Sequence, residues 1–342
     1  MTTMKALVYN SSGFGSMLWA PDFPVPQHGR HEVLVRVISS SLNPVDFRMV
    51  DSGFLSVRGK PVGCDIAGRV CAVGSAVTTL KVGDFVFGWG HGLAEYAISD
   101  PTRLALVPWG LNASDFGIYP TVATTAYQLL NKHWLGKPGY QVRSILVIGA
   151  SGGVGSSVVQ FARAFGGPEL SIFTVSSASH LEYCREIGAN ECFDYRDKSF
   201  EMEKILPAGS LDLIVDTVSG TPEGSNYVEA AKHLLRDSGK YVTLNTLSRL
   251  EYVGSWFTNR TGIEFRRKHH EYFIVTRDGS HSDLDEAATL IANNQYRLEI
   301  AHEVHGLEES QLREAFALLR QRHMRGKIKV TVLPGIHRAE SL

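Results

Sequence analysis

One stretch limits what this chain can become more than any other. The short run Ser144–Ile148 is followed at once by Gly149-Ala150-Ser151-Gly152-Gly153-Val154-Gly155. A brief continuous apolar run is what a parallel strand buried on both faces looks like. Val154, Val158, Ala162 and Phe165 then recur at helical spacing. A strand, a glycine turn and a helix in that order give meaning to the spacing Gly149-x-x-Gly152-x-x-Gly155, a variant of the dinucleotide fingerprint. Gly149 permits the tight turn, Gly152 and Gly153 let a backbone approach a pyrophosphate, and Gly155 lets the helix pack on the strand. With Ser151 and Val154 between them, these residues form a cradle whose N–H groups and positive helix end attract phosphate. The competing reading is a glycine-rich turn with no ligand, and the alternation that follows weighs against it.

That alternation continues as Ser171–Val175 (strand), Leu181–Ile187 (helix), Leu211–Val215 (strand), Asn226–Leu235 (helix) and Tyr241–Leu244 (strand). Strands alternating with helices predict a doubly wound parallel sheet. The first 110 residues read differently. Short candidate strands, among them Lys5–Tyr9, the alternating Glu32–Ile38, Arg69–Val73, Asp84–Phe87, Ala94–Ile98 and Leu104–Val107, are separated by Gly, Pro and Asp. This predicts a compact barrel-like β unit. The chain closes on two amphipathic helices and an alternating strand with Ile328, Val330 and Val332 on one face. A length of 342 residues accommodates both units. The expected fold class is therefore α/β, a β-barrel unit plus a Rossmann-type doubly wound parallel sheet.

Cofactor choice is read at the end of the second parallel strand, where an NAD site places Asp or Glu for the ribose hydroxyls. Here the segment is Thr174-Val175-Ser176-Ser177-Ala178-Ser179-His180, with no acid. Ser176 and Ser177 supply hydroxyls for a 2′-phosphate and His180 a cation to pair with it. Tyr195 and Arg196 follow the next strand and are expected in the same region. The cofactor expected is NADPH; simple capping of the next helix is the alternative role for the serines.

Charge and cysteine usage exclude other classes. The formal net charge is −1, which gives no electrostatic footprint for nucleic acid. Cys64, Cys71, Cys184 and Cys192 show no C-x-x-C spacing and no zinc-ribbon or disulfide pattern. The N-terminal residues carry no apolar signal core, and no run of about 18 apolar residues predicts a membrane span. A reduced, cytoplasmic protein with no membrane contact is expected. His302 and His305, three apart on an extended segment, face opposite ways and make a poor metal pair.

Further markers carry a resemblance. They are Asn43-Pro44-Val45-Asp46, Gly63-Cys64-Asp65-Ile66-Ala67-Gly68, Gly83-Asp84, Ala94-Glu95-Tyr96, Thr125-Ala126-Tyr127, the glycine turn, and Gly326-Lys327-Ile328. In this order and spacing the chain resembles the zinc-free quinone oxidoreductase branch of the medium-chain dehydrogenase/reductase superfamily. The resemblance implies a GroES-like catalytic domain over residues 1–121 and 301–342 and a Rossmann NADPH-binding domain over 122–300. It also implies a homodimer and a quinone or enone as acceptor, reduced by hydride in the cleft between the domains. Zinc-dependent relatives carry Cys where Asn43 stands, His where Cys64 stands, and Cys near Thr121, so no metal is expected; one thiolate is too few for a site that needs three protein ligands. The resemblance places Asn43 near nicotinamide and acceptor, Thr125 near the nicotinamide ribose, Phe273 beside the nicotinamide, and Lys327 at the cofactor phosphates. The tyrosine that some relatives use is missing from the stretch with Phe47, Arg48 and Phe54, which leaves Arg48 as a candidate cation and solvent as a proton source. Asp46 is read as a brace for its loop. Two other readings stay open: reduction of enoyl thioesters, and a non-enzymatic NADPH-binding role of the structural or RNA-associated kind that some relatives serve.

Overall fold

The alternating valines Val33, Val35 and Val37 are fully buried on one face of a ten-residue strand, as strict period-two patterning requires. The computed structural model describes residues 2–10, 17–51, 58–137, 139, 141–220, 225–245 and 270–333; Phe54 lies outside them. The chain divides into two compact units, residues 1–124 with 277–342, and residues 125–276.

In the first unit, β1 (Thr3–Tyr9) pairs antiparallel with β2 (Met17–Pro24). A seven-stranded sheet is built from β3 (Val33–Leu42), β4 (Asp65–Val73), β5 (Phe85–Trp89), β6 (Tyr96–Ser99), β7 (Leu104–Leu106), β14 (Ile300–His305) and β15 (Lys327–Thr331). Its order is β14-β15-β3-β4-β5-β7, with β6 also on β3. Val33, Val35, Ile66, Val86, Ile328 and Val330 form its core with Leu312 and Phe316 from helix α7 (Glu309–Gln321). The register sets Ile328 opposite Leu42. Lys327, from near the end of the chain, is thereby placed beside Asn43.

Helix α1 (Pro44–Asp51) follows β3 directly. Pro44 stands at the first helical position, where its missing N–H costs nothing. Asp46 Oδ2 accepts from the Asn43 N–H at 2.7 Å, the back-reaching half of a capping box. Asp46 thus braces this turn.

In the second unit the strands are β8 (Ser144–Ile148), β9 (Ser171–Ser176), β10 (Glu191–Asp194), β11 (Leu211–Asp216), β12 (Leu235–Thr243) and β13 (His270–Tyr272). Every pair is parallel and the order is β10-β9-β8-β11-β12-β13. Numbered from β8, this is the doubly wound order of dinucleotide-binding folds, and the strand order reverses at β8 and β11. Helices α3 (Gly153–Gly166), α4 (Leu181–Glu186) and α5 (Val228–Ala231) belong to this unit, and α2 (Pro120–Leu130) spans the division.

The structure differs from the sequence reading in three places. The expected helix Asn226–Leu235 reduces to α5 and a 3-10 turn, Lys232–Leu234, and the chain is already extended in β12 from Leu235. Strand β2 shows no clean alternation and is half-exposed, so periodicity gave no signal for it. The division at 300/301 also differs from the compact units: α6 (His281–Ala292) lies with the first unit, where it packs on β7. Among the described residues no helix is long and apolar enough to cross a membrane.

The turn after β8 depends on two close approaches. Gly149 has φ +81°, and a Cβ there would collide with Thr217 Oγ1. A Cβ at Gly155 would strike Gly149 O and lie 2.8 Å from Ala150 Cα. Gly155→Ala is expected to destabilise the second unit by roughly 1–3 kcal/mol, the range for forcing a methyl group into a packed site. A lower thermal unfolding midpoint checks this.

Candidate active site

The glycine turn sits where the parallel sheet reverses, the usual ligand crevice of such folds. Gly152 is the N-cap of α3 and makes no side-chain cap. A Cβ built there meets nothing closer than Gly149 O at 3.6 Å, in contrast to the crowding at Gly149 and Gly155. The space in front of the α3 N–H groups is thus open on the side from which an anion would come. Ser151, Gly152, Gly153 and Val154 are all part-exposed, and Gly155 is buried beneath them.

The hydroxyl-rich loop after β9 comes to this turn through one imidazole. His180 Nδ1 shares hydrogen bonds with Ser151 Oγ at 3.1 Å and Ser177 Oγ at 3.2 Å. Ser177 Oγ is also 3.2 Å from Ser179 Oγ. Three residues singled out from sequence, Ser151, Ser177 and His180, therefore form one polar cluster. Ser176 is buried, and its carbonyl accepts from the Tyr195 N–H at 3.1 Å. Arg196 Nε donates to Tyr195 Oη at 3.1 Å, with the guanidinium over the tyrosine ring. The loop thus has a cation and hydroxyls at its edge, and its residues 174–180 include no acidic side chain.

In the first unit a buried polar network surrounds Asp65. Its Oδ2 accepts from Ser41 Oγ at 2.6 Å and Asn43 Nδ2 at 2.7 Å. Its Oδ1 accepts from Thr121 N at 2.7 Å and Thr121 Oγ1 at 2.6 Å. Lys327 Nζ donates to Asn43 Oδ1 at 2.5 Å and Leu42 O at 3.1 Å, and lies 3.6 Å from Asp65 Oδ2. Both Asp65 and Lys327 are buried; a buried ion pair holds only when its other hydrogen-bonding capacity is met, and here it is. This corrects the expectation that Lys327 reaches the cofactor phosphates. Its ammonium is enclosed in the first unit with its donors committed, and it orients the Asn43 amide instead.

Cys64 lies beside this network. Its Sγ is 3.4 Å from Arg277 Nη2, and that guanidinium stacks on Trp89 with its carbon 4.9 Å from the ring centre. Burial pushes the Cys64 thiol well up, with Asp46 adding to the effect and Arg277 opposing it. Burial, with Asp65 behind it, raises Asp46 to about 7 against the Asn43 N–H. Burial lowers His91 to about 4, helped by Arg277 and Lys60. The positions of Asn43, Cys64 and Thr121 therefore meet in one place, held by a carboxylate, an ammonium and a guanidinium.

The remaining candidates are placed as follows. Arg48 is half-buried on α1, and Thr125 is buried on α2. Phe273 is buried just after β13, its N–H bonded to Thr243 O at 2.8 Å and Lys132 Nζ 5.9 Å from its ring centre. Sequence reasoning missed Asp65 as an organising group, and missed Arg277. The three consecutive buried serines Ser39–Ser41 were the available signal for a polar interior at the end of β3.

Comparison with known proteins fits this architecture. The profile of the alcohol dehydrogenase GroES-like domain matches residues 29–133, and that of the zinc-binding dehydrogenase family residues 187–330. A 2-methylene-furan-3-one reductase of Solanum lycopersicum is 33% identical over 258 residues, 70% of this chain and 62% of the relative, so the match spans under two thirds of that protein. A chloroplast envelope quinone oxidoreductase homolog of Arabidopsis thaliana is 32% identical, over 64% of this chain and 69% of the relative. Trans-enoyl reductase pgmF of Aspergillus terreus is 29% identical over 97% of both chains. Among solved structures, the quinone oxidoreductase from Coxiella burnetii superposes with a TM-score of 0.77 at 24% identity, covering 97% of this chain and 100% of that one. A mycobacterial protein solved in complex with NADPH gives 0.75 at 22%, covering 96% and 100%. The two structural likenesses establish the fold.

The raised carboxyl of Asp46 has a consequence for stability. Its value is about 7 in the folded chain against an ordinary 3.8. Between these values the folded state holds a proton that the unfolded state has lost, so this group's contribution falls as pH rises from about 4 to about 7 and is constant above. Asp46→Asn keeps an acceptor for the Asn43 N–H and removes the titration. The unfolding free energy of the variant minus that of the parent is expected to increase across that window and then level off, as followed by denaturant unfolding at a series of pH values.

Proposed function

From the premise that this chain belongs to the medium-chain dehydrogenase/reductase superfamily, we propose that it is an NADPH-dependent reductase of a small conjugated carbonyl compound, a quinone or an enone, acting without zinc. The observation that carries the reading is the joining of the open glycine turn to an acid-free, hydroxyl-rich loop through His180. The turn would hold the pyrophosphate on the α3 N–H groups. Ser176, Ser177 and His180 would hold a 2′-phosphate, with Tyr195 and Arg196 at the loop's edge; a carboxylate in their place would favour NAD. The bound cofactor supplies hydride.

The chain's own residues then have positioning and electrostatic work. As the acceptor gains hydride, negative charge grows on its oxygen, and fixed donors must meet it. One Asn43 amide hydrogen goes to Asp65, and Lys327 fixes the amide's orientation through its oxygen. The second amide hydrogen is the donor this reading assigns to the acceptor. Arg277 joins Arg48 as a candidate cation. Thr125 and Phe273 keep the roles that the resemblance gives them, at the nicotinamide ribose and ring.

Zinc independence rests on the donor set. Asn43 and Thr121 offer no thiolate, the Cys64 thiol is held protonated by burial with the Arg277 guanidinium beside it, and the Lys327 ammonium already stands against Asp65. A zinc site needs deprotonated ligands and is disfavoured by adjacent cations. The zinc in the matching family's name belongs to that family's description. Support for the acceptor class comes from relatives named as a furanone reductase and a quinone oxidoreductase homolog. Relatives named trans-enoyl reductase favour a second reading, reduction of an enoyl thioester. A homodimer in the cytoplasm completes the proposal, with no nucleic-acid partner at a net charge of −1.

NADPH oxidation followed against ortho- and para-quinones, short enones and crotonyl thioesters, with EDTA present, separates these readings. Turnover of quinones or enones in EDTA is expected. Activity lost on chelation would overturn zinc independence, and binding without any turnover would favour a non-enzymatic role. Gly152→Asp is expected to leave thermal stability within about 1 kcal/mol, as an open surface site allows. It should abolish NADPH binding, because its carboxylate enters the phosphate space. Changing Ser177 and His180 together to Ala is expected to lower the NADPH/NADH preference by at least about tenfold, the loss of roughly 1.4 kcal/mol of phosphate contact; an unchanged ratio places the 2′-phosphate elsewhere.

A further inference from the structure

Beside the Asp65 network stands a positive charge that no acid answers. Arg277 is exposed, yet its guanidinium is held in place from two sides. It stacks on buried Trp89, its carbon 4.9 Å from the ring centre, and its Nη2 lies 3.4 Å from Cys64 Sγ. A protonated thiol is a weak acceptor and carries no charge. Among the described residues no carboxylate is ion-paired with this arginine. The adjacent Asp278 is committed to Arg103, whose Nε donates to it at 2.9 Å. Asp65 is balanced by Lys327, and Asp46 accepts from the Asn43 N–H.

The surroundings supply no other counter-charge. His91 has a buried Nδ1 with no hydrogen-bond partner among the described residues. Burial, then Arg277 and Lys60, lowers this imidazole to about 4, so it is neutral near neutral pH. The antiparallel register sets Trp89 directly opposite Asp65, and Asp65 Oδ2 holds Asn43 Nδ2 at 2.7 Å. The seat of the guanidinium and the anchor of the Asn43 amide are thus paired residues of neighbouring strands. A stacked arginine is pre-organised, and its planar fork matches a carboxylate with two parallel hydrogen bonds.

We propose that the acceptor carries a carboxylate besides its conjugated carbonyl, and that Arg277, seated on Trp89, binds this carboxylate while Asn43 meets the carbonyl oxygen. The place given to the carbonyl rests on the function proposed above; the open charge of the guanidinium does not. The acceptor narrows from any small quinone or enone to an anionic one, such as an oxo-enoic acid or a quinone with an acidic tail. Trp89 and Cys64 act through Arg277 as positioning residues. The carboxylate keeps its charge throughout hydride transfer, so Arg277 holds ground state and transition state alike. Its loss should therefore raise KM for the charged acceptor more than it lowers kcat.

The test compares two methyl enones that differ only at the end of a saturated tail, a carboxylate in one and a primary amide in the other. The saturated spacer leaves the two double bonds equally electrophilic. With NADPH and the whole chain at low salt, kcat/KM for the carboxylate is expected to exceed that for the amide by at least about tenfold. The ratio should shrink as salt is raised. Arg277→Met should bring it close to one, mainly through KM, and Arg277→Lys, which keeps the charge and loses the fork, should fall between. Equal kcat/KM for both acceptors in the parent protein overturns the proposal. So does an equal loss on both in Arg277→Met, which would put the guanidinium at the carbonyl oxygen. If neither enone is reduced, the proposed function fails and binding decides the subsite. The saturated ketones of the same pair are then titrated into the protein by calorimetry. Carboxylate binding that Arg277→Met abolishes and Arg277→Lys partly retains supports the subsite; no difference between carboxylate and amide overturns it.

Discussion

The first unit turns on the charge of Asp65. A buried carboxylate is tolerated only when donors and a cation replace the water it gives up. Here the replacements come from the end of β3 and the residue after it (Ser41 and Asn43), the start of α2 (Thr121) and β15 (Lys327). The antiparallel register of β15 on β3 is what brings the ammonium in. The same bonds fix the Asn43 amide at both ends, so the residue assigned to the acceptor is rigid because the unit's own charge balance requires it. Removing either partner of such a pair costs about 3–5 kcal/mol, and loss of fold and loss of orientation would come together.

On the proposed reading the second unit answers a different demand, that of bringing an anion close to backbone. Gly149 and Gly155 are required by collisions inside the protein, whereas Gly152 is required by nothing internal. His180 adds a link that the strand order alone does not supply, since it ties the turn after β8 to the loop after β9.

These two demands explain what could be read from the sequence. The glycine turn between a strand and a helix and the alternation of strands and helices are local patterns, and their reading as a parallel sheet survives in the fold. The short β10 and the half-exposed β2 have weak periodicity and little to announce them. The Asp65 network is non-local: Lys327 and Asn43 are 284 residues apart, and Asp, Ser and Lys read in isolation belong on a surface. Hence Lys327 was expected at a phosphate and is found bracing an amide. Arg277 lies where a compact unit resumes after a long excursion, so nothing near it in the sequence points to Cys64.

That excursion bears on how the chain is made. Residues 125–276 form a unit of their own between the two parts of the other. On a ribosome they emerge complete and able to fold while β3 still awaits its last neighbour. Until Lys327 emerges, Asp65 has donors and no cation, and the Ser39–Leu42 end of β3 lacks the strand β15 that pairs with it. The nascent first unit is therefore a sheet with a partly unpaired strand and an unbalanced charge until β15 is made. Its stability depends on β15, and a truncation that removes Lys327 should be far more damaging than its length suggests.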